Sequence, residues 1–239
     1  DESEIGPFTS TETFYLLAGL EPFTNYRVKV RSACDDGSYT AWDSIDIRTE
    51  CLVGGAAEIS GTTASPSYLI PVNNFYRNTY SQQLVLAREM DMDAPGTLQS
   101  ISFEYAVATP MTVKNNCQIY LGHTTDSVLS SSWMPLDSMK LVYTGSLNCE
   151  QGWNKFTFDS LFTYDGVRNL VVTVVDQSDA YNSSSYTFKV HSATGLARYY
   201  QTDGTMTVPP SSGSAASVRN NMKFGLPCGD ATGACVAPA

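Results

Sequence analysis

The chain has 239 residues, a net charge of −10, 42% apolar residues and only 16% charged residues, against roughly 25% charged in an average soluble protein. That balance leaves enough apolar mass for a core and excludes an overall basic, nucleic-acid-binding surface or attraction to an anionic membrane. No run of about 18 apolar residues occurs, so no membrane-spanning helix is expected.

Taken in chain order, the acidic opening Asp1-Glu2-Ser3-Glu4 is not a signal peptide. Strands are expected at Thr13–Leu17, Tyr26–Ser32, Ser44–Arg48, Leu98–Tyr105, Gln118–Leu121, Lys140–Tyr143, Asn154–Phe158, Leu170–Val175, Tyr186–Val190 and Met222–Phe224. Several of these alternate polar and apolar residues, as half-buried antiparallel strands do. The one helical candidate is Ser81–Met92. Asp36-Gly37, Pro95-Gly96, Asp165-Gly166 and Asp203-Gly204 read as turns, and 179–185 and 208–217 as surface loops. Short strands with such turns give an all-β chain, a β-sandwich or jelly roll.

Leu20-Glu21-Pro22-Phe23-Thr24-Asn25-Tyr26-Arg27-Val28-Lys29-Val30-Arg31 resembles the fibronectin type III signature around its tyrosine corner. The resemblance implies that Tyr26 opens the sixth strand of that fold and bonds back to the corner. It also implies that Val28 and Val30 face the core and that Trp42 and Ile45–Arg48 lead into the seventh strand. Residues 1–51 would then be the C-terminal part of such an immunoglobulin-like domain. Cys235-Val236-Ala237-Pro238-Ala239 is similar to the opening of another, making 229–239 a linker and the start of a following domain.

Between them, Ile70-Pro71-Val72-Asn73-Asn74-Phe75-Tyr76 with Tyr80-Ser81-Gln82-Gln83, Gly96–Phe103, Ile119-Tyr120-Leu121-Gly122-His123-Thr124, Gly152-Trp153 with Phe156, Phe162–Val172, and Arg219-Asn220-Asn221 with Phe224-Gly225 resemble a jelly-roll module. Such modules occur in secreted proteins of Gram-negative gut and oral anaerobes, the gingipain-type adhesin domains among them. This gives a jelly-roll domain over 52–228. It implies a secreted or cell-surface location and a non-catalytic adhesin-like role, with a glycan or a host or matrix protein as ligand. Alternatives are an accessory domain of a secreted protease or glycoside hydrolase, and a structural subunit that joins a neighbouring copy through the incomplete fibronectin type III domain. Asp-Ser-apolar triplets at Asp43, Asp126, Asp137 and Asp159 resemble the O-glycosylation signal of the same bacteria.

The six cysteines are even in number and lack any CxxC pair, which suits disulfides in an oxidising compartment, with a set of buried free thiols as the alternative. Cys34 and Cys51 lie at opposite ends of a hairpin, about 20 Å apart at roughly 3.3 Å per residue, beyond the roughly 4.4–6.8 Å of a disulfide. Cys34 is therefore not expected to pair with Cys51; in the fibronectin type III fold that this stretch resembles, the first strand begins near the turn that Cys34 reaches, so the resemblance implies a bond from Cys34 to an upstream cysteine or to Cys235 of a neighbouring chain. Cys51 is expected to pair with Cys228, and Cys117 with Cys149.

Catalysis finds little support. His123 reads as structural, His191 as an exposed strand end, and no GxSxG motif provides a nucleophile. Asp91, Asp93, Asp176 and Asp179 are candidate ligands for a structural calcium. Tyr181, Tyr199 and Tyr200, near the expected loops, are candidate platforms for a sugar or a protein partner.

Overall fold

The computed structural model describes residues 6–12, 15, 17, 20, 25–48, 56–61, 65–67, 69–90, 92, 95–129, 132–182 and 186–226. The chain divides into a small unit ending at Val53 and a large unit over Gly54–Gly233.

In the small unit, β1 (Asn25–Val30) and β2 (Asp43–Arg48) form an antiparallel ribbon. Asp36-Gly37 makes the expected turn: Gly37 has φ +83°, a region that favours glycine. Asp36 accepts from the backbone and hydroxyl of Ser38. Register puts Tyr26, Val28 and Val30 on the same face as Ile45 and Ile47. Val28 is half-buried, but Val30 and Ile45 are 60% and 63% exposed, so this ribbon does not enclose Val30 as the sequence suggests. Cys34 is an exposed free thiol, while Cys51, Cys228 and Cys235 lie outside the described residues.

The large unit is an antiparallel all-β sandwich built from β3 (Ala56–Ile59), β4 (Ser65–Ser67), β5 (Asn78–Val85), β6 (Gly96–Tyr105), β7 (Cys117–Thr124), β8 (Lys140–Gly145), β9 (Gly152–Tyr164), β10 (Asn169–Asp176), β11 (Phe188–Thr202), β12 (Ser214–Asn220) and β13 (Met222–Gly225). The hydrogen-bonded order is β3-β13-β6-β11-β5-β10-β7-β8, with β9 on β6 and with β4 and β12 on β11. Leu98, Ile101, Phe103 and Phe156 from β6 and β9 meet Ile119, Leu121, Leu170, Val172 and Val174 from β7 and β10 in the main core. Burying one such side chain contributes roughly 1.5–3 kcal/mol. No helix among the described residues is long and apolar enough to cross a membrane.

β10 is apolar on both faces over Leu170–Val175, Thr173 apart, because both faces are covered. Its even-numbered residues enter the main core, while Val171 packs with Leu84, Met134 and Met139, and Val175 with Tyr80 and Trp133. Gln82 fastens that covering segment, donating to the Met134 carbonyl at 2.8 Å and accepting its N–H at 2.8 Å. The approach is close enough that a Cβ on Gly122 would lie 2.8 Å from Met139 and 2.9 Å from Met134.

Four further expectations are corrected in the large unit. Ser81–Met92 is not a helix: it is the second half of buried β5, followed by a 3₁₀ turn at Ala87–Glu89. Its polar residues mask a strand because they find buried partners, Ser81 on the Pro71 carbonyl and Gln83 on Asn220. The 208–217 loop ends early, at Ser214, where β12 begins.

Cys117 and Cys149 are both buried free thiols. Register sets Cys117 opposite Gly145 and Cys149 opposite Met111, so the two cysteines stand at different levels of the sheet. Burial pushes the Cys149 thiol up to about 12 and Cys117 above its ordinary value too, which makes both poor nucleophiles.

His191 is 6% exposed, not a solvent-facing strand end. Its Nδ1 lies 3.0 Å from Asn221 Oδ1 and its Nε2 3.1 Å from Arg219 Nη2. Arg219 can only donate, so Nε2 accepts and the ring is neutral with its proton on Nδ1. Arg219 also binds both oxygens of Glu89, at 2.7 and 2.8 Å, and the Leu84 carbonyl at 2.7 Å. Burial, reinforced by the Arg219 charge, lowers the His191 pKa from its ordinary 6.5 despite the Asn221 hydrogen bond.

Two outcomes follow. Alkylation of the native chain with peptide mapping labels Cys34 quickly and leaves Cys117 and Cys149 protected until denaturant is added; rapid native labelling of either buried thiol contradicts the packing. Because His191 binds its proton more weakly folded than unfolded, its contribution to stability is present above pH 6.5 and declines as pH falls through 6.5 toward the folded value. Thermal melts of wild type and His191→Gln between pH 7.5 and 5.5 check this: the wild-type melting temperature should fall more steeply with acid than the variant's, and parallel slopes would count against it.

Candidate functional site

The loops at one end of the large unit are gathered by a single buried cation. Lys114 is fully buried, and its ammonium reaches Asp176 Oδ2 at 2.7 Å and donates to the carbonyls of Tyr76 at 2.7 Å and Ala180 at 2.9 Å. Asp176, equally buried, accepts from the Ser178 N–H at 3.0 Å and the Thr79 hydroxyl at 3.2 Å. The pair thereby fixes the segment before β5, the segment before β7 and the segment after β10.

Side-chain amides complete the frame. Asn73 donates to Gln201 at 2.6 Å and caps its own turn by accepting the Phe75 N–H at 3.0 Å. Asn74 donates to the Asn182 carbonyl at 2.8 Å, and Asn182 returns a backbone bond at 2.9 Å. Asn78 donates to the Gly204 carbonyl at 2.9 Å. The Arg77 N–H meets Asp203 at 3.2 Å.

Between these loops lies an open cleft of about 380 Å³, lined by Asn78, Gln177, Asp179, Asp203, Gly204, Thr205 and Met206. That is within the roughly 300–1,000 Å³ typical of small-molecule sites. Arg77 stands beside it, 3.3 Å from Asp179 and 5.7 Å from the centroid of Tyr181. Tyr181 is 55% exposed. Asp179 holds φ +50°, a left-handed conformation uncommon outside glycine. An exposed ring beside planar amide and carboxylate groups can stack on one face of a ligand while hydrogen-bonding its edge.

Of the tyrosines singled out in the sequence, Tyr181 stands exposed beside the cleft through Arg77 and Asp179. Tyr199 and Tyr200, adjacent on β11, point to opposite faces: Tyr199 packs with Ile70 and Ala216, and Tyr200 with Tyr80, Val175 and Met206. Of the candidate calcium ligands, Asp91 and Asp93 lie outside the described residues. Asp176 is committed to Lys114, while Asp179 is exposed and paired with Arg77. Among the described residues no group of three or more His, Cys, Asp or Glu side chains converges as a metal site would require. Arg77, Lys114, Gln177 and Asp203 were missed: only Asp203-Gly204 left a trace in the sequence, as a turn.

Both imidazoles are engaged. His123 stacks against Tyr164, with centroids 5.7 Å apart, and its Nε2 accepts the Asp165 N–H at 3.2 Å. Desolvation opposes ionisation of Asp165, but hydrogen bonds from the Arg168 side chain and from the N–H groups of Arg168 and Val167 hold its carboxyl well below the usual range.

No known protein family matches the chain, and no curated protein matches it. Among solved structures, a crystal structure of the cysteine protease and lectin-like domains of Cwp84, a surface layer associated protein of Clostridium difficile, aligns with 62% of this chain and 31% of that chain, at 12% identity and a TM-score of 0.39. A likeness at that level establishes no common fold, so the functional reading rests on this chain's own geometry.

Replacing Lys114 with Met leaves Asp176 as a buried, uncompensated carboxylate and should destabilise the chain by about 3–5 kcal/mol, read by urea denaturation. Adding Asp176→Leu should recover much of the loss. A single-variant loss under about 1 kcal/mol would show that the pair is not the brace described.

Proposed function

We propose that the chain is a non-catalytic binding module of a secreted or cell-surface protein, and that it takes a glycan in the cleft beside Tyr181. The observation that carries this reading is the pairing of an exposed aromatic ring with fixed polar groups. Tyr181 offers an apolar face for a sugar ring, while Asp179, Asp203, Gln177 and Asn78 line a polar cleft within reach of hydroxyl groups. The loops are held by Lys114 beforehand, which limits the ordering cost of binding.

A non-catalytic role is supported by the state of the groups that hydrolysis would use. Each histidine is held by structural partners, and the described buried thiols are raised away from reactivity. The small unit, read as the C-terminal part of a fibronectin type III domain, is supported by its antiparallel ribbon and by the Asp-Gly turn at the expected place.

A glycan array probed with the intact chain tests the proposal. Binding to at least one glycan class is expected, with Tyr181→Ala weakening it about tenfold or more, equivalent to about 1.4 kcal/mol, and Asp203→Asn also weakening it. Absence of glycan binding, or binding indifferent to both substitutions, would reject the cleft as the site.

A further inference from the structure

The net charge of −10 conceals a local cationic row. In β1 the alternation Arg27, Lys29 continues past the strand end to Arg31, so three of the chain's 14 basic residues fall within five positions. Alternate residues of a strand share a face and stand about 6.6–6.8 Å apart. This row occupies the polar face of the ribbon, opposite the face that carries Val28 and Ile45. Register places Asp46 opposite Arg27 and Ser44 opposite Lys29, and all four are exposed.

The three cations are not equivalent. Arg27 is held by Asp46 through two bonds of 2.6 and 2.9 Å, which cancels most of its attraction for an external anion. Lys29 and Arg31 have no acidic partner among the described residues. The Arg31 guanidinium carbon lies 3.8 Å from the Tyr39 ring centroid and 4.4 Å from that of Trp42. Stacking engages the flat face of a guanidinium and leaves its N–H edge free to donate. Both rings are themselves open to solvent, Tyr39 at 57% and Trp42 at 55% exposed. The nearest acids along the chain, Asp35 and Asp36, lie in the turn, where Ser38 engages Asp36.

We propose that this face of the ribbon binds a linear anionic polysaccharide. Lys29 and Arg31 contact successive sulfate or carboxylate groups, and Tyr39 and Trp42 pack against the intervening sugar faces. Two cations on one face, Lys29 and Arg31, fit a polymer that carries anions at intervals. Exposed rings beside the row supply sugar contacts that a bare phosphate would not use. This surface belongs to the small unit and is independent of the Tyr181 cleft, so either can fail without the other.

The test uses the intact chain, with immobilised heparin as the sulfated probe, polygalacturonate as the carboxylated one and neutral dextran as the control. Binding to at least one anionic probe is expected at low salt, and it should weaken near 0.15 M, where the screening length is about 8 Å; dextran should not bind. Lys29→Gln with Arg31→Gln should weaken binding roughly tenfold, with melting little changed because both side chains are exposed and only the Arg31 ring contacts are lost. Asp46→Asn releases Arg27 and should strengthen binding, a gain that misfolding cannot mimic. The relative strength on heparin and polygalacturonate assigns sulfate or carboxylate. No binding at low salt, a double glutamine variant that binds like wild type, an Asp46→Asn variant without gain, or equal binding to a single-stranded oligonucleotide would each overturn the proposal.

Discussion

The Lys114–Asp176 pair is the constraint on which the arrangement of the large unit's loop end depends. Both side chains are fully out of water, where an isolated charge would cost several kcal/mol. Their mutual proximity offsets part of that cost, and the hydrogen bonds around them offset more. The Lys114 ammonium has three donors; Asp176 and the Tyr76 and Ala180 carbonyls are all close to it. A satisfied buried network of this kind leaves one arrangement much better than its neighbours, since any shift strands a charge or a carbonyl.

That constraint explains how irregular loops can present a defined surface. The carbonyls that Lys114 binds belong to residues adjacent to Arg77 and Tyr181, and Asp176 precedes Gln177 and Asp179. The side chains that line or flank the cleft are thus one or a few bonds from the brace. They remain exposed while their backbone is fixed, a usual division between scaffold and recognition. The amide contacts of Asn73, Asn74 and Asn78 extend the frame to β11 and to the turn at Gly204.

Much of the fold was legible from residue pattern. Alternation in β6 and β9 and the solid apolar run of β10 each mark a strand by period or length, and Asp36-Gly37 and Asp165-Gly166 mark turns by glycine at positive φ. β5 and β12 were not legible because their polar residues, Ser81, Gln82, Gln83 and Asn220 among them, are buried with partners far away in sequence, and no local pattern signals such pairing. The burial of His191 is hidden for the same reason, since Arg219 comes to it from β12 and Asn221 from the residue that joins β12 to β13. Of the site, Tyr181 and Asp179 could be read as a loop aromatic and a loop acid. Lys114 could not, because a lysine in a polar stretch reads as solvated until the fold places Asp176 against it. The cationic row of β1 was written in the sequence, but the chain's overall acidity obscured it.

The central claim is that ligand recognition in the large unit is confined to the loops that Lys114 gathers. Backbone amide shifts of the isotopically labelled chain, titrated with a glycan that it binds, test this most directly. Perturbations should cluster at Arg77, Asn78, Gln177, Asp179, Tyr181 and 203–206, with Tyr199 and the exposed Trp153 of β9 unmoved. Perturbations centred on Trp153 or Tyr199, with the 177–181 loop silent, would contradict the account.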